Sequence, residues 1–202
     1  MIEVFNGNNI LNKVKNEKMD ICVICYGGSS SNTLVDTLIK NNYICRTLTW
    51  RKILCHCPEI ININIPIIYI YRDPILAFLS MKRRGKGWWD TNQKKLSNNS
   101  NVKLSDENLL KLMIKQFKMW TNYKINNKTA NICIIKYEEL FLDTINEKLK
   151  FFLNNNNLKY FPITYIKPKT NNNLTNTDKL LFEKYKLDID YINNFNINNY
   201  IK

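Results

Sequence analysis

The sequence predicts an α/β fold built on a mostly parallel sheet, and three features carry that expectation. Short apolar runs that read as strands alternate with stretches of helical periodicity, an order that implies crossover connections and parallel strands. Two of those runs, Asp20-Ile21-Cys22-Val23-Ile24-Cys25 and Pro66-Ile67-Ile68-Tyr69-Ile70-Tyr71, lead directly into groups suited to holding anions. With 202 residues, 45% of them hydrophobic, the chain suits one domain with a substantial core, and no internal repeat divides it.

Residues 1–19 read as a polar leader. The pattern then predicts a strand over 20–26, a helix over 32–41, strands over 43–48 and 53–57, a strand over 66–72 and a helix over 74–84. Residues 85–105 are polar, carry Gly85, Gly87 and Trp88-Trp89, and are expected to form a mobile loop over one edge. A helix over 106–123 places Leu109, Leu110, Met113, Phe117 and Trp120 at helical spacing, and Asn131-Ile-Cys-Ile-Ile-Lys136 is a further buried strand. A helix over 144–153 follows, and 154–202, with a helix near 177–187, is expected to be a C-terminal packing arm.

The first anion signal is Tyr26-Gly27-Gly28-Ser29-Ser30-Ser31-Asn32, a turn of glycines, serines and an asparagine that opens a helix. Such a turn leaves backbone N–H groups free and adds hydroxyl donors at a positive helix end. The second is Arg72-Asp73-Pro74: Arg72 closes a strand, Asp73 is placed to cap the next helix, and Pro74 falls at its first position, where a missing N–H costs nothing. In an open parallel sheet ligands bind beyond the carboxyl ends of the strands. Gly27 to Asn32, His56, Arg72 and Tyr137 all fall at predicted strand ends.

The formal charge is +13, from 30 Lys and Arg against 17 Asp and Glu, which favours anionic partners such as nucleotides. Nucleic acid is disfavoured, because the basic residues are scattered and the recognised motifs are absent. The absence of an N-terminal signal segment or a membrane-length apolar run points to an intracellular, cytoplasmic chain with no membrane partner. Six cysteines sit mostly within apolar runs and read as reduced core thiols. A zinc site from Cys22, Cys25, Cys55, His56 and Cys57 is disfavoured, since residues three apart on a strand point to opposite faces; no metal is expected. The clusters of asparagine at 98–101, 154–157 and 171–173 read as polar loops.

On these residues the sequence resembles the sulfotransferase family, whose members move a sulfuryl group from 3′-phosphoadenosine 5′-phosphosulfate (PAPS) to a hydroxyl or amine. The resemblance spans about residues 20–153. Cys25-Tyr26-Gly27-Gly28-Ser29-Ser30-Ser31-Asn32-Thr33-Leu34 is similar to the family's 5′-phosphosulfate loop, which makes Gly27, Gly28, Ser29, Ser30, Ser31 and Asn32 donor-binding candidates. Ile67 to Ser80 is similar to its 3′-phosphate motif, with Arg72 at the strand end and Ser80 eight residues on. Ile134-Ile-Lys-Tyr137-Glu138-Glu139-Leu140 is similar to its Tyr-Glu-Asp-Leu segment, in which the tyrosine lies near the adenine. His56-Cys57-Pro58 is similar to the segment that carries the catalytic histidine.

The resemblance implies a three-layer α/β/α, P-loop NTPase-like fold, PAPS as donor and His56 as the base that takes the acceptor's proton. Glu138 is read as a structural residue. The sequence departs from the family at Gly28, where a loop lysine or arginine would face the departing oxygen; Arg51, Lys52 or Lys82 would have to act from elsewhere. The alternative is a non-catalytic protein of the same kind that binds a 3′-phosphorylated adenine nucleotide or a partner.

Overall fold

A computed structural model describes residues 18–29, 31–45, 56–61, 63–160, 162 and 173–200. Among these residues the sheet has three strands, β1 (Cys22–Cys25), β2 (Ile67–Tyr71) and β3 (Ile132–Lys136), in the order β1-β2-β3 and all parallel. Cys22 pairs with Ile67 and Ile67 with Ile132, while at the other end Cys25 pairs with Ile70 and Tyr71 with Lys136. All three carboxyl ends therefore lie along one edge.

Every residue of β1 and β2 is buried, as expected for a parallel strand covered on both faces. Alternation sorts them. Cys22, Ile24, Ile67, Tyr69, Tyr71, Ile132 and Ile134 face one apolar layer, while Val23, Cys25, Ile68, Ile70, Cys133 and Ile135 face the other. Cys22 and Cys25 thus point to opposite faces. Helices α1 (Ser31–Lys40) and α5 (Thr144–Asn154) cover the second face through Leu34, Val35, Leu38, Ile145, Leu149 and Leu153. The first is covered by α2 (Pro74–Arg83), α3 (Lys86–Ser97), α4 (Asp106–Asn126), α6 (Asn176–Lys184) and α7 (Lys186–Asn194). The result is an α/β/α arrangement around a parallel sheet. Among the described residues no helix is long and apolar enough to cross a membrane.

Helix α2 begins as its sequence requires: Asp73 accepts hydrogen bonds from the Ile75 and Leu76 N–H groups, and Pro74 takes the first position. Helix α4 carries its apolar stripe into the core and is capped by Ser105, which accepts from Asn108 N–H.

Three expectations change. The mobile loop expected over 85–105 is largely α3, a twelve-residue helix. Its inward face is Asn92, Gln93 and Leu96, so its burial rests on polar contacts that hydropathy does not reveal. Gln93 accepts from Ser105 N–H and Asn108 Nδ2 at the start of α4, and Trp89 packs edge-on against Phe78, with ring centres 4.8 Å apart. Trp88, beside it, stays exposed under the Arg84 guanidinium. The helix expected near 177–187 is two helices that break at Tyr185, whose hydroxyl donates to Glu107. Residues 43–45, 56 and 57 lie outside any strand, and the rest of the strands expected over 43–48 and 53–57 falls outside the described residues. The asparagine clusters gain a geometric role: Asn98 and Asn157 adopt left-handed conformations just beyond α3 and α5, which asparagine tolerates better than most residues.

Candidate functional site

The loop after β1, the residue after β2 and the turn after β3 meet at the carboxyl edge of the sheet, and Arg72 joins them. Its Nη1 donates to the Gly28 carbonyl at 3.0 Å, and its guanidinium lies over the Tyr137 ring, 4.3 Å from the centre. The backbone of Arg72 is clamped as well. The Tyr26 hydroxyl accepts from Arg72 N–H at 2.8 Å and donates to Arg72 C=O. Burial pushes the Tyr26 hydroxyl pKa well above the ordinary tyrosine value, against the smaller pull of that backbone bond, so it stays protonated and able to donate.

Two glycines fit this loop for steric reasons. At Gly27, with φ +100, a Cβ would stand 2.8 Å from Met81 Sδ and 3.1 Å from His56 Cε1, so the missing side chain lets His56 and α2 close in. At Gly28, with φ +67, a Cβ would stand 2.4 Å from the Ala77 carbonyl oxygen and 2.8 Å from Ala77 Cα. The loop lies directly on the α2 backbone there. A lysine at this position has no room for its first carbon, which explains the departure at Gly28 sterically.

Ser29 is buried and its hydroxyl has no hydrogen-bond partner among the described residues. Ser30 lies outside the described residues. Ser31 opens α1 and accepts from the Cys25 thiol at 3.2 Å, and Asn32 is exposed on the first turn. Ser80 sits half-buried on α2, one turn beyond Ala77, and makes no hydrogen bond among the described residues. The structure therefore brings together the Gly27-Gly28 loop, His56, Arg72 and Tyr137, and leaves Ser80 on the neighbouring helix face. Tyr137 itself is buried, with Arg72 on its face and Phe141 at its edge, 5.0 Å between ring centres.

Lys82 is committed elsewhere, to Asp178 at 2.7 Å and Asp106 at 3.1 Å. Arg51 and Lys52 lie outside the described residues.

Two residues that sequence reasoning missed organise the site. Tyr26 clamps Arg72; the signal was a large aromatic with a hydroxyl at a buried strand end, which must find a partner. Gln116, buried in the middle of α4, donates to the Cys25 carbonyl at 3.3 Å and the Cys57 carbonyl at 2.8 Å, tying the end of β1 to the residue after His56. Its signal was an amide on an otherwise apolar helix stripe. Glu138, which the sequence reading took as structural, has a buried carboxylate oxygen, Oε2, with no hydrogen-bond partner among the described residues.

The charge balance at this edge is uneven. Arg72 is only 5% exposed, its Nε has no partner, and no carboxylate lies within ion-pair distance of it among the described residues. A buried guanidinium with one hydrogen bond and a ring contact is short of both counter-charge and acceptors. Comparison with family models, with curated proteins and with solved structures found no match to this chain.

Proposed function

We propose that the chain binds a 3′-phosphorylated adenine nucleotide at the carboxyl edge of its sheet and acts as a PAPS-dependent sulfotransferase on a P-loop NTPase-like scaffold. The observation that carries the binding half is Arg72: a buried cation with no acid partner among the described residues is stabilised by an arriving anion, and its Nε is left without an acceptor there. Ser29, whose buried hydroxyl has no partner among the described residues, supplies a further donor on the loop.

In this reading the loop over 27–32 receives the 5′-phosphosulfate, Arg72 takes the 3′-phosphate with Ser80 alongside, and Tyr137 borders the adenine. The acceptor oxygen or nitrogen attacks sulfur, the bond from sulfur to the 5′-phosphate oxygen breaks, and that oxygen leaves with its electron pair on 3′-phosphoadenosine 5′-phosphate. His56 takes the acceptor's proton. The protein's share is alignment, charge stabilisation and proton removal.

A second reading, nucleotide binding without transfer, is favoured by one observation: the α2 backbone bars a side chain at Gly28, and Lys82 is held by two aspartates. One series of measurements separates the two. Calorimetry is expected to show 3′-phosphoadenosine 5′-phosphate binding at least tenfold better than AMP, a charge-assisted contact being worth about 1.5–3 kcal/mol. Arg72→Ala is expected to erase that preference, and equal affinity for both nucleotides in the native chain rejects the nucleotide site. Where the preference holds, sulfuryl transfer lowered roughly 10²–10⁴-fold by His56→Asn supports the enzyme, and selective binding without transfer supports the second reading.

A further inference from the structure

We propose that a cavity between the end of β3 and the C-terminal segment is a separate binding site for a neutral polyhydroxylated ligand of mono- or disaccharide size. The cavity measures about 440 Å³, within the range of small-molecule sites. One wall is formed where β3 passes into α5, through Ile134, Glu139, Ile145 and Lys148; the opposite wall is the stretch from Phe195 to Asn198. Tyr71 reaches across and donates its hydroxyl hydrogen bond to the Phe195 carbonyl at 3.0 Å, which fixes the second wall against the first. The Lys136 ammonium holds the Asn193 carbonyl, and Asn193 Nδ2 donates to Asp73, so the segment that borders the cavity is anchored at three points.

The lining selects the ligand's chemistry. Its two charges, Glu139 and Lys148, neutralise each other at 2.7 Å, so a charged ligand would lose hydration and gain no counter-ion. The pair still leaves Glu139 Oε1 as an acceptor and ammonium protons of Lys148 as donors, and the side chains of Thr144 and Asn198 make no hydrogen bond among the described residues. The lining therefore carries both donors and acceptors together with Ile134, Ile145 and Ile197. Hydroxyl groups, which both donate and accept, match its polar side chains, and the carbon-bound faces of a sugar ring match its isoleucines. None of these side chains belongs to the Arg72 site, and the proposal stands whether or not that site takes a nucleotide.

The test is saturation-transfer NMR and calorimetry on the full chain without nucleotide. Probes are glucose, galactose, N-acetylglucosamine and their β-linked disaccharides, with glucuronate and glucosamine as charged counterparts. At least one neutral sugar is expected to bind saturably and better than its charged counterpart. Thr144→Val and Asn198→Ala, both at exposed positions, are each expected to weaken it about two- to tenfold, one neutral hydrogen bond apiece, and 3′-phosphoadenosine 5′-phosphate added afterwards to leave it unchanged. No saturable signal from any of these sugars up to tens of millimolar overturns the site. So does binding that survives both substitutions, that the added nucleotide displaces, or that favours the charged sugars.

Discussion

Replacing Gly28 by alanine adds one carbon, and the structure says where it goes. Its position is 2.4 Å from a carbonyl oxygen and 2.8 Å from the Cα of Ala77, both backbone atoms of a packed helix that cannot rotate aside. Loop and helix must part by roughly 1 Å, an overpacking strain that typically costs about 1–3 kcal/mol. The φ of +67 adds about 1–2 kcal/mol, because an L-residue there brings its Cβ against its own carbonyl. Together the loss is about 2–5 kcal/mol, a melting temperature lower by about 4–20 °C for a domain of this length. Gly85 is a contrasting case: its φ of +87 and ψ of 169 form a conformation essentially restricted to glycine, but an added Cβ meets nothing within 4 Å, so Gly85→Ala carries a conformational cost and no clash. Urea melts of the native chain and the two variants check this, with unchanged slopes required for a like-for-like comparison. If Gly28→Ala costs less than about 1 kcal/mol, the loop does not rest on α2, and the steric account of the missing loop lysine fails with it.

Tyr26→Phe removes the hydroxyl that serves both the N–H and the carbonyl of Arg72, leaving two buried backbone groups unsatisfied. Stability is expected to fall by about 1–3 kcal/mol per abandoned group at most, with nucleotide affinity falling too as Arg72 loosens; denaturation and calorimetry on the same samples read both. Asp178 gives a pH signature. Burial works to raise its pKa, but hydrogen bonds from Lys82 and Thr175 outweigh it and hold the carboxyl below the usual range. A depressed folded-state pKa stabilises fully above the unfolded carboxylate value, near 4, and that stabilisation is lost as pH falls through the folded value. Stability measured from pH 7 downward should therefore drop through and below pH 4, and Asp178→Asn should flatten that part of the profile; an unchanged slope would remove Asp178 from the acid transition.

Periodicity and residue chemistry were enough for much of this molecule. The order of β1, α1, β2, α2, α4, β3 and α5 follows from apolar runs and helical spacing, because strands buried on both faces must be apolar throughout and amphipathic helices must show a stripe. Asp73-Pro74 announced the start of α2 because capping is local. Thr175 and Asp178 form a capping box at α6 that the same rule makes legible after the fact. Arg72 and Tyr137 could be assigned to one edge because parallel pairing leaves no other place for the ends of β2 and β3.

What the sequence left open depends on groups distant along the chain. Helix α3 reads as a loop because its buried face is Asn92, Gln93 and Leu96, and an amide becomes a good interior residue only when a partner such as Ser105 N–H is waiting. Gly28 looked like a lost cation; only the packing of α2 against the loop shows that no side chain fits there. Lys82 looked available until Asp106 and Asp178, far away in sequence, closed around it. Local sequence determines which backbone conformations and caps are cheap, since those energies come from neighbours along the chain. Which polar group meets which, and where a Cβ has room, is settled by contacts between elements that only the assembled sheet and its two helical layers bring together.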